Sequence, residues 1–238
     1  MRTVAILQAR MGSTRLPGKV LADLAGQTVI GRTIERTRAS GAVDEVVIAT
    51  TESPYDDAVV REAERLGCAH FRGSEEDVLA RYLGAARQFR AEVVVRIACD
   101  CPLLDPKLTG VVIERLGQAD YASNAIRRTF PIGVDVEALT RQTLERVAQI
   151  AVAPREREHV TLYIAEHSNE FRCVSVESDI DLSAHRWTID TPEDLALVKA
   201  IYEHFSPRAV FSMQEVLSLL DGRPDLVQLN AHIRQHQA

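Results

Sequence analysis

The sequence predicts an α/β fold: a mostly parallel central sheet with helices on both faces, Rossmann-like in its layering. Short apolar runs of strand type recur at 3–7 (TVAIL), 45–50 (EVVIAT) and 92–97 (EVVVRI). Between them, at about 28–39, 55–66 and 75–90, apolar residues return every three or four positions, the period of a helix packed on one side. Strand–helix alternation of this kind indicates parallel strands covered on both faces. Such sheets bind ligands at the carboxyl ends of their strands.

The later elements follow from caps and punctuation. Asp105-Pro106 starts a helix over 106–117, with Asp as cap and Pro in the first turn. DYASN (120–124) reads as a short strand. RRTFPIGVDVEAL (127–139) is rich in turn formers and charges, and helices follow near 141–150 and over 155–168. FRCVSVES (171–178) alternates like a strand. RWTID (186–190) reads as another short strand, ahead of a helix capped by Thr191, opened by Pro192 and charged in its first turn by Glu193 and Asp194. Residues 206–238 read as a helical extension attached to the rest. No repeat, low-complexity stretch or linker divides the chain, so one domain over 1–238 is expected, with a projecting subdomain around 125–175.

Composition limits the function. The net charge of −6 argues against a general binder of nucleic-acid backbone. No apolar run approaches the roughly 20 residues that span a bilayer, and the N-terminus does not resemble a signal peptide. A cytoplasmic protein is the expectation. The four cysteines, Cys68, Cys99, Cys101 and Cys173, form no C-x-x-C pair and read as reduced, mostly buried thiols.

The stretch QARMGSTRLPGKVL (8–21) directly follows the first strand. Gly12, Ser13 and Thr14 can turn backbone N–H groups toward an anion, and Arg10, Arg15 and Lys19 can neutralise one. The spacing is neither that of a Walker A loop nor G-x-G-x-x-G. On its residues alone this is a phosphate-gripping loop of unspecified type.

That loop resembles the opening loop of the CMP-sugar synthetase (acylneuraminate and 3-deoxy-octulosonate cytidylyltransferase) family, especially its spore-coat polysaccharide cytidylyltransferase-like branch. The likeness continues in order through FRGSEEDVLARY (71–82), RIACDCPLLDP (96–106), SNAIRRTFPIGVDVE (123–137), REREHVT (155–161) and RWTIDTPEDL (186–195). The resemblance implies a nucleotide-diphospho-sugar transferase-like fold, CTP as donor, Mg²⁺ as cofactor and a homodimer formed through the projecting subdomain. It implies that Gln8, Ala9, Arg10, Met11, Gly12, Ser13, Arg15 and Lys19 hold the triphosphate, with Arg10, Arg15, Lys19 and Asp100 acting in catalysis. Arg72, Asp77 and Arg81 would border the nucleotide, although the i, i+4 spacing of Asp77 and Arg81 also fits a helix-surface ion pair.

Asp100 follows an apolar strand and Asp190 ends the short strand before the capped helix, so both should reach the sheet's ligand edge. Mg²⁺ on a nucleotide takes one or two carboxylates besides phosphate oxygens, and the resemblance assigns it Asp100 and Asp190. Where the family has Gly before the first aspartate, this chain has Cys99, which would be strained were a left-handed backbone needed there. By the same resemblance, Asn124, Arg127, Pro131, Gly133, Asp135, Glu137, Glu158 and His159 line the acceptor side. Arg127 and Arg128 would suit an acidic sugar. The expected reaction is transfer of CMP from CTP to an acceptor hydroxyl in surface polysaccharide synthesis. Competing readings are a different base or a non-sugar alcohol, a glycosyltransferase using the D-x-D at 179–181, and a nucleotide-binding module without catalysis.

Overall fold

The computed structural model describes residues 1–233, so the end of the expected extension, 234–238, lies outside the described residues. Seven strands form one sheet: β1 (Thr3–Gln8), β2 (Glu45–Thr51), β3 (Ala69–Gly73), β4 (Val93–Ala98), β5 (Tyr121–Ser123), β6 (Glu137–Thr140) and β7 (Cys173–Ser175). Their order is β3-β2-β1-β4-β6-β5-β7. Every pairing is parallel except the two made by β6, against β4 and β5. The expected mostly parallel sheet is therefore present, and 125–175 contributes β6 and β7 to it.

The helices are α1 (Val29–Ala39), α2 (Asp57–Arg65), α3 (Val78–Gln88), α4 (Pro106–Leu116), α5 (Arg141–Ile150), α6 (Pro154–Glu158), α7 (Leu162–Glu166), α8 (Pro192–Phe205), α9 (Met213–Asp221) and α10 (Pro224–Gln228). Strand alternation sorts the core into two layers. Ala5 and Leu7 of β1 pack with Val29, Ile30 and Ile34 of α1 and with Val198, Ile201 and Tyr202 of α8. Val4 and Ile6 face the other way, onto Val78, Leu79, Tyr82, Ala85 and Ala86 of α3 and Leu144 and Val147 of α5. No helix among the described residues is long and apolar enough to cross a membrane.

The expected caps are present. Asp105 accepts from the amides of Lys107 and Leu108, and Thr191 from that of Asp194. The helix expected over 155–168 is instead two, because Val160 takes a positive φ of 53° and breaks the run at His159–Thr161. A β-branched residue in that region is strained, and the break faces a cleft.

The strand expected over 186–190 also differs. Arg186 makes a single bridge to Ile132, and the segment then crosses the carboxyl end of β4. It is fastened there to the Asp100 carbonyl, which accepts from the Ile189 amide at 2.8 Å and the Thr188 hydroxyl at 3.2 Å. β4 is already paired on both sides, by β1 and β6, so the segment cannot join it as a strand. The same fastening brings Asp190 next to Asp100.

Candidate active site

Gly18 begins the construction. Its φ of 71° turns the chain into a short 3-10 turn over Lys19–Leu21, and this points Lys19 inward. The loop closes on itself, the Met11 carbonyl accepting from the amides of Ser13 and Gly18. Asp56 anchors its start by accepting from the Met11 amide at 2.7 Å. Among the described residues the amides of Gly12, Thr14 and Arg15 meet no hydrogen-bond acceptor, leaving donors for an anion.

Lys19 is buried, and its ammonium touches three acceptors: Asp100 Oδ2 at 2.7 Å, Asp190 Oδ1 at 2.8 Å and the Ile189 carbonyl at 2.6 Å. Arg15 adds a contact to Asp190 Oδ1 at 3.0 Å. Burial works against the Lys19 charge, but Asp100 and Asp190 outweigh it and hold its pKa above the usual lysine value. For Asp190 burial likewise favours the neutral form. Lys19, Arg15 and Arg186 outweigh that, so its carboxyl lies below the ordinary range. Three distant segments thus place two carboxylates around one cation. A divalent ion carried by a nucleotide suits such hard oxygen donors. Among the described residues no cluster of three or more His, Cys, Asp or Glu side chains is placed to hold a metal by itself.

Asp100 and Asp190 border a cleft of about 630 Å³. Arg15, Arg96, Asp135, Glu137, His159 and Thr161 line it, with Ile126, Ile132, Leu162 and Ile164 as an apolar wall. Arg10 belongs to a second cleft, of about 980 Å³, with Glu52, Glu75, Glu76 and Glu158. The loop therefore serves both, and Glu158, expected beside His159 on the acceptor side, lines the cleft with Arg10.

Several expected contacts are engaged within the fold. The Arg72 guanidinium binds Asp57 and the carbonyls of Thr51 and Ser53. Asp77 caps α3 through the Ala80 amide and pairs with Arg157, not with Arg81 as the i, i+4 spacing allowed. Arg81 is buried and donates to the Ser74 carbonyl. Buried Asn124 donates to the Val134 carbonyl and accepts from the Val136 amide. Arg127 is 78% exposed and pairs with Glu177, while Arg128 forks onto Asp135 at 2.7 and 2.9 Å. Pro131 is buried, and its carbonyl takes the Val134 amide at 3.4 Å. Cys99 is not left-handed; it is buried in the core, so the strain expected there is absent. Burial pushes the Cys99 and Cys101 thiols well up and that of Cys68 to about 11, which keeps them protonated.

Arg96 is a cleft residue that the sequence pattern does not mark. Its only signal is a cation inside the apolar strand VVVRIA. It pairs with Glu137, whose other oxygen accepts from Tyr121 at 2.6 Å and Thr161 at 2.7 Å, while Arg96 Nε meets no acceptor among the described residues. Burial alone would raise the Glu137 pKa, but Arg96, Tyr121 and Thr161 bring it below 4.5. A depressed carboxyl contributes stability that is present above the unfolded pKa and lost as pH falls through the folded one. Glu137→Gln should therefore cost about 3 kcal/mol at neutral pH by stranding Arg96. In thermal melts across a pH series, its deficit against the parent should shrink below about pH 4.5, near the unfolded carboxyl pKa. A deficit independent of pH would refute the ionic pairing.

The cytidylyltransferase family profile matches residues 4–217. The chain belongs to the cytidylyltransferase family. It is 36% identical over 231 residues to the spore coat polysaccharide biosynthesis protein SpsF of Bacillus subtilis, covering 92% of this chain and 94% of that one. An uncharacterised protein of Methanocaldococcus jannaschii is 34% identical, over 99% of this chain and 97% of its own. A cytidylyltransferase structure from Leptospira borgpetersenii superposes with a TM-score of 0.93 at 33% identity, over 100% of both chains. CMP:2-keto-3-deoxy-manno-octonic acid synthetase, solved with CTP, shares the fold at TM-score 0.66 and 18% identity, over 86% of this chain and 99% of that one. This cytidylyltransferase is a nucleotidyltransferase, and the sheet edge carrying Lys19, Asp100 and Asp190 is its candidate centre.

Proposed function

We propose that the protein transfers CMP from CTP to a hydroxyl of an acidic sugar or related small acceptor and releases pyrophosphate. The observation that carries this is the convergence of Asp100 and Asp190 on the Lys19 ammonium, beside loop amides that lack acceptors. The nucleoside would lie toward the Arg10 cleft and the acceptor in the Asp100 cleft, with the α-phosphorus at the loop between them. The acceptor oxygen attacks that phosphorus in line. A new P–O bond forms as the bond to the α,β-bridging oxygen breaks, and the hydroxyl proton leaves to solvent. Mg²⁺ held by Asp100 and Asp190 would supply Lewis-acid polarisation of the phosphate. The chain's own part is positioning and charge: Arg10, Arg15 and Lys19 take up the negative charge developing on pyrophosphate.

Neither Arg127 nor Arg128 is among the residues that line the Asp100 cleft. An acceptor carboxylate would instead meet Arg15 and Arg96, the cations on the cleft wall. Pairing of two copies through 125–175 belongs to the same reading. Exposed Val152 lies on that stretch, and light scattering on the purified protein reads it out.

A pyrophosphate-release screen tests the function, with CTP, UTP, ATP or GTP and a panel of sugars and alcohols. Release is expected with CTP and a hydroxylated acceptor, and chelation of divalent ions should stop it. Release of a nucleoside diphosphate from a nucleotide-sugar would identify a glycosyltransferase instead. The D-x-D at 179–181 lies in an exposed loop, where Asp181 accepts from the Ser183 amide. Binding of CTP without turnover across the panel would leave only a binding module.

A further inference from the structure

The described part of the extension, 206–233, carries no motif that the resemblance explains, yet its Asn230 reaches the candidate centre. Buried Asn230 donates from one amide nitrogen to the Arg186 carbonyl at 2.9 Å and to Asp194 Oδ1 at 2.8 Å. Asp194 is fully buried and also accepts from both sides of the Arg186 fork at 3.0 Å and from the backbone amides of Asp190 and Thr191. Arg186 in turn donates to Asp190 Oδ2 at 2.8 Å. That contact divides the work of the Asp190 carboxylate, with Oδ2 held from behind and Oδ1 facing Lys19 and Arg15.

We propose that Asn230, Asp194 and Arg186 are positioning residues through which the C-terminal extension sets the metal-facing oxygen of Asp190. A buried carboxylate with one neighbour fewer shifts to find another donor, because leaving its lone pair unmet in the interior is costly. Without Asn230, Asp194 Oδ1 keeps one donor of two, the Arg186 Nε–H, so the fork that Asp194 aligns in Arg186 loosens and Asp190 can rotate. The capping box of α8 accounts for the Thr191 amide on Asp194 Oδ2 and the Asp194 amide on the Thr191 hydroxyl, and it needs neither Arg186 nor Asn230. A buried amide reaching in from a segment 36 positions later along the chain is what the arrangement adds.

The proposal rests on the metal-assisted cytidylyl transfer proposed above. The test uses the full chain as the parent, as Asn230→Ala and as Leu226→Ala. Leu226 is a buried apolar residue of the same extension, and it serves as a control for loss of packing. Binding of Mn²⁺ to the protein with CTP is read from the enhancement of water-proton relaxation over that of Mn²⁺–CTP without protein, and stability from thermal unfolding. Asn230→Ala should weaken Mn²⁺ binding about 10–100-fold, as loss of a ligand's supporting hydrogen bonds typically does. Leu226→Ala should lower the melting temperature and leave Mn²⁺ binding at the parent value. Equal weakening by the two variants, or none with Asn230→Ala, overturns the proposal. If the parent takes up no Mn²⁺ with CTP, the transfer reading fails by itself. The crystal structure of Asn230→Ala then decides the positioning. Asp190 Oδ1 displaced from Lys19 upholds it, and Asp190 unmoved overturns it.

Discussion

Asp100→Asn should lower CTP-dependent pyrophosphate release about 10³-fold at a modest cost in melting temperature. The substitution keeps the shape and removes the charge. Losing a carboxylate that would hold a catalytic cation removes about 4 kcal/mol of transition-state stabilisation. The fold should survive because Asp100 is a quarter exposed, and Lys19 keeps its contacts to Asp190 and the Ile189 carbonyl. An ion pair with one end buried and the other a quarter open contributes about 1–2 kcal/mol, between a surface pair and a buried one. Asp190→Asn should behave differently. Its carboxylate compensates Lys19, Arg15 and Arg186 in a buried setting, so both activity and melting temperature should fall. Turnover by the coupled pyrophosphate assay, with melts on the same samples, separates the two cases. Full turnover by Asp100→Asn with a confirmed acceptor would remove the metal assignment.

The difference between those aspartates marks where the sequence is legible and where it is not. Strand–helix alternation, the Asp105 and Thr191 caps and the period of α3 are local properties, and each appears in the structure as read. A carboxylate after a buried parallel strand has nowhere to go but the sheet's ligand edge, so Asp100 could be placed from its neighbours alone. Asp190 reaches the same edge by another route. Its segment is not a strand, and it is held by the Asp100 carbonyl and by Ile132. These are long-range contacts with no periodic signature. The same limit hid Arg96, whose partner Glu137 comes from a neighbouring strand. It also hid Asn230, one polar residue in an unremarkable tail. The Asp77–Arg157 pair shows how a helical spacing rule loses to tertiary structure: capping α3 turns Asp77 away from Arg81 and toward α6.

Gly133→Ala should be the most damaging small substitution in the chain, costing at least about 4 kcal/mol of stability. Gly133 sits at φ 100°, where a side chain is strained before any contact is counted. A Cβ built there would lie 2.3 Å from the Thr188 amide nitrogen and 2.6 Å from the Trp187 carbonyl carbon. Both are backbone atoms, so neither can swing aside as a side-chain tip could. The two segments meet because Ile132, just before the glycine, exchanges hydrogen bonds with His185 and Trp187, the residues that flank Arg186, at 2.9 and 2.7 Å. Relief of the clash must therefore separate 131–134 from 186–190, the segment that carries Asp190 to Lys19. At about 2–4 °C per kcal/mol for a chain of this size, the melting temperature should drop by roughly 8–16 °C. Protein that still folds should also lose turnover by more than its folded fraction accounts for. Gly133 was expected to line the acceptor side, and a role in ligand contact alone predicts the opposite pattern: a raised acceptor KM at unchanged stability. Melting curves and acceptor titrations on Gly133→Ala, with Gly12→Ala as the control, distinguish the two. At Gly12 an added Cβ meets only Glu75 Oε1, at 3.9 Å, so that variant should melt with the parent.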